Sequence, residues 1–178
     1  MKNAVDLSEP NPFVTINGGN ITITTKGQPT DDLSPEGIEA KNNLLINDGK
    51  ITITSTDDAL NAGGGIKIAG GQINVVSSLN DAIDANGTKG IEISGGIVVA
   101  VANQMPECAF DCDNNVFKIT GGIVLGLGTS NYSNPTKNEC TQNVIVASSS
   151  KIPSNQTFAV IDSHKNPVFA YTFPQTVS

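Results

Sequence analysis

Carboxylates recur in this chain in one fixed setting. The phrases Glu36-Gly37-Ile38-Glu39-Ala40, Asp58-Ala59-Leu60-Asn61-Ala62 and Asp81-Ala82-Ile83-Asp84-Ala85 each flank an apolar residue with acids or an amide, and Cys108-Ala109-Phe110-Asp111-Cys112 repeats the frame after Glu107. If the apolar middle sets the register of stacked strands, Glu36, Asp58 and Asp81 form one column on the outside. Glu39, Asn61, Asp84 and Asp111 form another. Paired strands lie about 4.8 Å apart, so like charges in a column repel by roughly 1–3 kcal/mol per pair at dielectrics between water and a protein surface. Such columns invite a cation.

The donors on offer are carboxylates, the amides of Asn61, Asn80 and Asn86, and loop carbonyls. These hard oxygens suit calcium better than zinc. Asp57-Asp58, beside Asp81 and Asp84 of the next phrase, make the strongest single candidate. The full set of candidate metal ligands is Asp57, Asp58, Asn61, Asp81, Asp84, Glu36, Glu39 and Asp111. Turn chemistry competes with this reading, because Asp and Asn cap backbone amides and tolerate left-handed conformations, and Asn80-Asp81 and Asn86-Gly87 have that character. Residues 111–115 (Asp-Cys-Asp-Asn-Asn) are a second oxygen-rich patch for which a turn serves equally well.

The elements that would position these residues are legible from a second repeat. Two β-formers at alternate positions, then Gly-Gly or Asp-Gly, then two more β-formers occur five times, over residues 14–23, 44–53, 66–75, 91–99 and 117–125. The second glycines, at 19, 49, 71, 96 and 122, are 30, 22, 25 and 26 residues apart, the period of one supersecondary unit. Side chains alternate between the faces of a strand, so Ile91, Ile93, Ile97 and Val99 all face inward only if Gly95-Gly96 turns a corner. Stacking equivalent strands then pairs every interior edge in parallel. With the acidic phrase as third strand, the expected fold is all-β: a single-stranded right-handed parallel β-helix of three short strands per coil and about four to five coils. Its coils occupy residues 13–128. Residues 1–12 are an N-terminal remnant or cap. Residues 129–178 are a loop and a C-terminal β cap, with strands at 143–147, 157–162 and 168–173 between Pro153, Pro167 and Pro174.

Composition narrows the partners. The net charge is −7, and the basic residues are lysines scattered singly, so nothing clusters to neutralise phosphates and nucleic acid is not an expected partner. No apolar run approaches the roughly 18–20 residues that span a bilayer, and Met1-Lys2 does not open a signal peptide. Cys108, Cys112 and Cys140 match no zinc signature with the single His164. They read as buried or singly paired thiols, with a bridge from Cys108 or Cys112 to Cys140 as one option.

The ordered set Thr15-Ile16-Asn17-Gly18-Gly19, Asp57-Asp58-Ala59-Leu60-Asn61-Ala62, Asp81-Ala82-Ile83-Asp84-Ala85-Asn86-Gly87 and Ile91-Glu92-Ile93-Ser94-Gly95-Gly96 resembles bacterial carbohydrate-binding domain-containing proteins of the polysaccharide-lyase-like parallel β-helix type. That family includes a clostridial protein that binds cellulose and acidic sugars. The resemblance implies a non-catalytic protein, extracellular or at the cell surface, that carries calcium on the helix exterior and binds a polysaccharide. The chain departs from the family pattern where Asn61 replaces an acid and Cys108 stands in an Asp position.

The residues favour acidic glycans within that class. Neutral-sugar modules offer flat aromatic platforms, whereas Tyr132 and Tyr171 are the only aromatics here with a polar handle. Uronates would be held through bridging calcium, with Lys67, Lys89 and Asn86 as ligand-binding residues. A structural or adhesive solenoid without a sugar ligand is the alternative. A calcium-dependent lyase is a third, weakened because the chain has no arginine to act as base. The expected state is a monomer or part of a longer multidomain chain.

Overall fold

The corner glycines set the architecture. Gly71 has φ +93° and packs on the coil before it so closely that a Cβ there would lie 2.6 Å from the carbonyl oxygen of Gly49. The chain turns at each such point and comes back into register one coil on.

A computed structural model describes residues 12–128, 134–148, 151–174 and 176–177. Two units make up the chain, residues 1–144 and 145–178. The first is a β-solenoid of about four turns without a helix. Its first coil holds β1 (Val14–Thr24) and β2 (Ile38–Ala40), and its second holds β3 (Asn43–Ser55) and β4 (Leu60–Ala62). The third coil is β5 (Gly65–Ile68), β6 (Gln72–Ser77) and β7 (Ile83–Ala85). The fourth is β8 (Gly90–Ile93), β9 (Ile97–Ala102) and β10 (Phe110–Asp111), after which β11 (Phe117–Ile119) and β12 (Ile123–Leu127) begin a fifth. Every pairing between these strands is parallel, in the sheet orders β11-β8-β5-β3-β6-β9-β12 with β1 on β3, and β10-β7-β4-β2. The β1 and β3 strands run through their corners, so two of the three strands expected per coil fuse in the first two coils.

Register makes the core a set of columns. Leu44, Ile66, Ile91 and Phe117 stack, as do Ile46, Ile68, Ile93 and Ile119. Burying an aliphatic side chain of this size contributes about 1.5–3 kcal/mol. Column sizes compensate one another: Ile53, Val75, Ala100 and Gly126 shrink toward the last coil, where Ile38, Leu60 and Ile83 give way to Phe110. A Cβ on Gly126 would meet the Phe110 ring at 2.7 Å. Phe110 packs in turn on Phe117 with ring centroids 4.7 Å apart.

Residues 136–141 lie along the outer edge of β11. Thr136 and Thr141 donate backbone N–H groups to Phe117 and Ile119, and the Thr136 hydroxyl and Cys140 Sγ accept from the N–H groups of those same residues. The three cysteines are free thiols, and no bridge to Cys140 forms. Each sulfur is committed to a different backbone carbonyl: Cys108 to Pro106, Cys112 to Asn115 and Cys140 to Phe117.

The second unit contains an antiparallel hairpin of β13 (Thr157–Ile161) and β14 (Pro167–Thr172). Its turn is held by Asp162, whose carboxylate accepts the N–H groups of His164 and Asn166. His164 is exposed there, as a turn residue is expected to be. The strand expected at 143–147 does not form; Val144, Ile145 and Val146 are exposed and pair with no strand, so their β-propensity has no ladder to act through. The expected remnant at residues 1–12 lies, except for Pro12, outside the described residues.

Candidate functional site

The third strand of each coil carries the acids, and its register matches the sequence expectation. Glu39, Asn61, Asp84 and Asp111 stand opposite one another across β2, β4, β7 and β10. Two residues before each core residue lie Glu36, Asp58, Asp81 and Cys108. The columns leave the core but are not exposed: Asp57, Asp58, Asp81, Asp84 and Glu39 are each at most 8% accessible. Neighbouring coils and their amide side chains cover them, an effect that the strand pattern alone does not contain.

Most of these oxygens accept hydrogen bonds. Asp58 Oδ1 accepts the backbone N–H of Asp81 at 3.0 Å, and Asp81 Oδ1 accepts that of Cys108 at 2.5 Å. Asn61 Nδ2 donates to Asp58 Oδ2 at 2.8 Å and to Asp84 Oδ2 at 3.1 Å. Asn86 also donates to Asp84, and Asn80 donates to Asp57 Oδ1 at 2.8 Å. Glu39 forms an ion pair with Lys41. Glu36 is half-buried at the start of its strand. Asp111 is half-buried at the outer end of the column and accepts the N–H of Asp113. The turn chemistry read as the competitor of metal binding is thus present, as a ladder in which Asp58 and Asp81 each cap the coil that follows.

Carboxylates so placed resist ionising. Burial pushes Asp58 up to about 9, with the charges of Asp84, Asp57 and Asp81 adding to the effect against the Asn61 hydrogen bond. Burial likewise raises Asp81 to about 7 and Asp84 to about 6, each aided by the charge of Asp111. Burial, the largest cause in each, favours the neutral form of these carboxyls, and perturbed acids gathered in one place mark a candidate functional site. At its more open end, ligand atoms of Asp81, Cys108 and Asp111 lie within 4.8 Å of one another. The carboxylates there are hard-oxygen donors of the kind calcium takes, whereas the thiol is not.

Lys67 and Lys89 come together elsewhere, around the corner that residues 86–89 make between β7 and β8. They line a shallow groove of about 290 Å³ with Asn43, Leu45, Glu92 and the glycine floor of Gly65 and Gly90. Lys89 Nζ donates to Asn43 Oδ1 at 3.1 Å, and Lys67 Nζ lies 3.2 Å from Glu92 Oε1. Asn86, grouped with these lysines by sequence, instead belongs to the acid cluster through Asp84 and Asn61. Asn43 and Glu92 were not singled out by sequence, although the coil register that aligns 43 with 65 and 90, and 45 with 67 and 92, contains them. Tyr171 packs edge-on against Phe173 at 85° in the second unit, so it presents no flat platform, and Tyr132 lies outside the described residues.

Residues 3–85 match the model of a family described as carbohydrate-binding domain-containing proteins. The matched stretch takes in the first two coils and the third through β7, including Asp57, Asp58, Asn61, Asp81, Asp84, Lys67 and the groove residue Asn43. This similarity points to a carbohydrate-binding role and to a glycan as partner. No curated protein and no solved structure matches the chain. Among the described residues, no helix is long and apolar enough to cross a membrane.

Proposed function

We propose that this chain is a non-catalytic carbohydrate-binding protein of the polysaccharide-lyase-like β-helix type, acting outside the cell or at its surface on acidic polysaccharides. The observation that carries this reading is the pairing of Lys67 and Lys89 across one groove, each already hydrogen-bonded to a polar partner. Two ammonium groups in one groove suit the repeated carboxylates of a uronate chain, since charge-assisted hydrogen bonds are the strong ones. Asn43 and Glu92 offer the amide and carboxylate that bind sugar hydroxyls, and Leu45 gives an apolar contact for a ring face.

Calcium belongs to this proposal as the cation of the acid cluster. Asp81 and Asp111 would hold it, because their ligand atoms converge at the more open end of the cluster, with Asp84 beside Asp111 in the register. When bound, it would supply positive charge to bridge protein and uronate carboxylates.

Calorimetric titration with polygalacturonate tests the reading. Lys67→Ala with Lys89→Ala should weaken binding at least about tenfold, the loss expected for charged hydrogen bonds worth about 1.5 kcal/mol or more. Undiminished binding by the double variant would overturn the groove assignment. Asp81→Ala with Asp84→Ala should abolish any enhancement of binding by added calcium, and retained enhancement would move the cation elsewhere. Accumulation of unsaturated uronate during incubation would reveal a lyase and overturn the non-catalytic reading.

A further inference from the structure

The first coil ends in an open edge. Among the described residues, every other strand around the corner has a coil on both sides except β11, along which residues 136–141 are bonded, and β12, which pairs with β9 alone. Among the described residues, strand β1 pairs with β3 alone. Its inward residues Val14, Ile21 and Ile23 are only half-buried, whereas their counterparts Leu44, Ile51 and Ile53 are at most 1% accessible. A Cβ on Gly18 or Gly19 would meet nothing within 4 Å, while the corresponding glycines of later coils abut the backbone before them. The strand VTINGGNITIT also contains no charge and no proline, the devices that ordinarily protect an exposed edge.

Residues 14–23 are close to a palindrome about the bond between Gly18 and Gly19. Thr15 mirrors Thr22, Ile16 mirrors Ile21, Asn17 mirrors Asn20, and Val14 mirrors Ile23. Backbone direction agrees with this symmetry. Thr25 donates to Thr54 in the following coil, so alternation along the strand turns Asn20, Thr22 and Thr24 toward the free edge. Ile46 accepts from Ala69, so Leu45 faces back to β1 between Val14 and Ile16 and leaves Thr15 turned to the free edge. Thr15 and Thr22 therefore both present N–H and C=O groups outward from the stack.

We infer that β1 is a homodimer interface in which two copies pair head to head, antiparallel, with Thr15 opposite Thr22. The two-fold axis passes through the corner between Gly18 and Gly19. Rotation about that axis maps one arm of the bent strand beside the other and keeps the bend, so both interiors stay on one side. Val14 then faces Ile23 and Ile16 faces Ile21, joining the two cores into one. An isologous contact of this kind closes at two copies, which an unprotected edge otherwise does not. The sequence led instead to the expectation of a monomer or part of a longer multidomain chain; the dimer does not depend on the glycan reading.

Sedimentation velocity and light scattering on the whole chain should give twice the chain mass. Thr15→Lys with Thr22→Lys sets two ammonium groups opposite each other in this register and should yield monomer with an unchanged far-ultraviolet circular dichroism spectrum. Thr15→Lys with Thr22→Glu makes the same positions complementary and should restore the dimer. A monomeric parent, or a dimer that persists in the double-lysine variant, would overturn the inference. So would failure of the lysine–glutamate variant to associate, because it would leave the register without support.

Discussion

Asp58 accepts the backbone N–H of Asp81, its counterpart one coil on, at 3.0 Å. A carboxylate in this position joins two successive turns of the solenoid, and Asp81 repeats the contact to Cys108. Acids read from sequence as ligands are therefore also structural ties between coils, and their ionisation is linked to folding.

That linkage has a sign. Asp58, Asp81 and Asp84 are raised to about 9, 7 and 6 from an ordinary value of 3.8. Between those limits the folded chain holds protons that the unfolded chain has released, so stability is fully present below pH about 4 and falls as pH rises through the folded values. In chelator-treated protein, the melting temperature attributable to this cluster should drop between about pH 4 and 9. Asp58→Asn, which keeps an acceptor oxygen and removes the ionisable group, should flatten that drop. Calorimetric scans across pH measure it, and a melting temperature that rises over the same window would contradict the cluster's role.

Coil stacking makes a different demand at the corners. Gly71→Ala brings a Cβ to 2.6 Å from the Gly49 carbonyl oxygen as well as imposing φ +93°. Gly27→Ala also imposes a positive φ, but its nearest neighbour is the Leu33 side chain at 3.6 Å. The left-handed backbone alone costs about 1–2 kcal/mol, so Gly27→Ala should lose about that much in urea unfolding. Gly71→Ala should lose clearly more, because the clash is with backbone. Equal losses would show that the corners do not pack as tightly as described.

Thiol chemistry distinguishes a packed end from a bridged one. Titration of denatured protein purified without reductant should give three free thiols per chain. In the native protein, Cys108 and Cys112 should react slowly because they are buried. One free thiol per denatured chain would reveal a bridge that the separate carbonyl partners of the three sulfurs argue against.

By itself, the sequence determined the stacking. Gly-Gly corners, alternating Ile and Val, and an apolar residue within each acidic phrase impose one register, because a slip by one residue would turn every core side chain outward. The opposition of Asn61 with Asp84 follows from that register, and so does the alignment of Lys67 with Glu92. What only the tertiary structure decided was how covered each position is and which neighbours it meets across the coil. The acids are buried by amides that stand about one coil away, as Asn80 does over Asp57, and burial is the largest cause of the raised proton affinity of Asp58, with neighbouring carboxylates adding to it. Lys67 and Lys89 share a groove because one turn of the solenoid returns the chain to β5, where Gly90 pairs with Gly65. Residues 143–147, with strand-forming side chains, form no strand for want of a partner. Local pattern specifies which face a residue takes; desolvation and pairing depend on contacts distant in sequence, which no local pattern encodes.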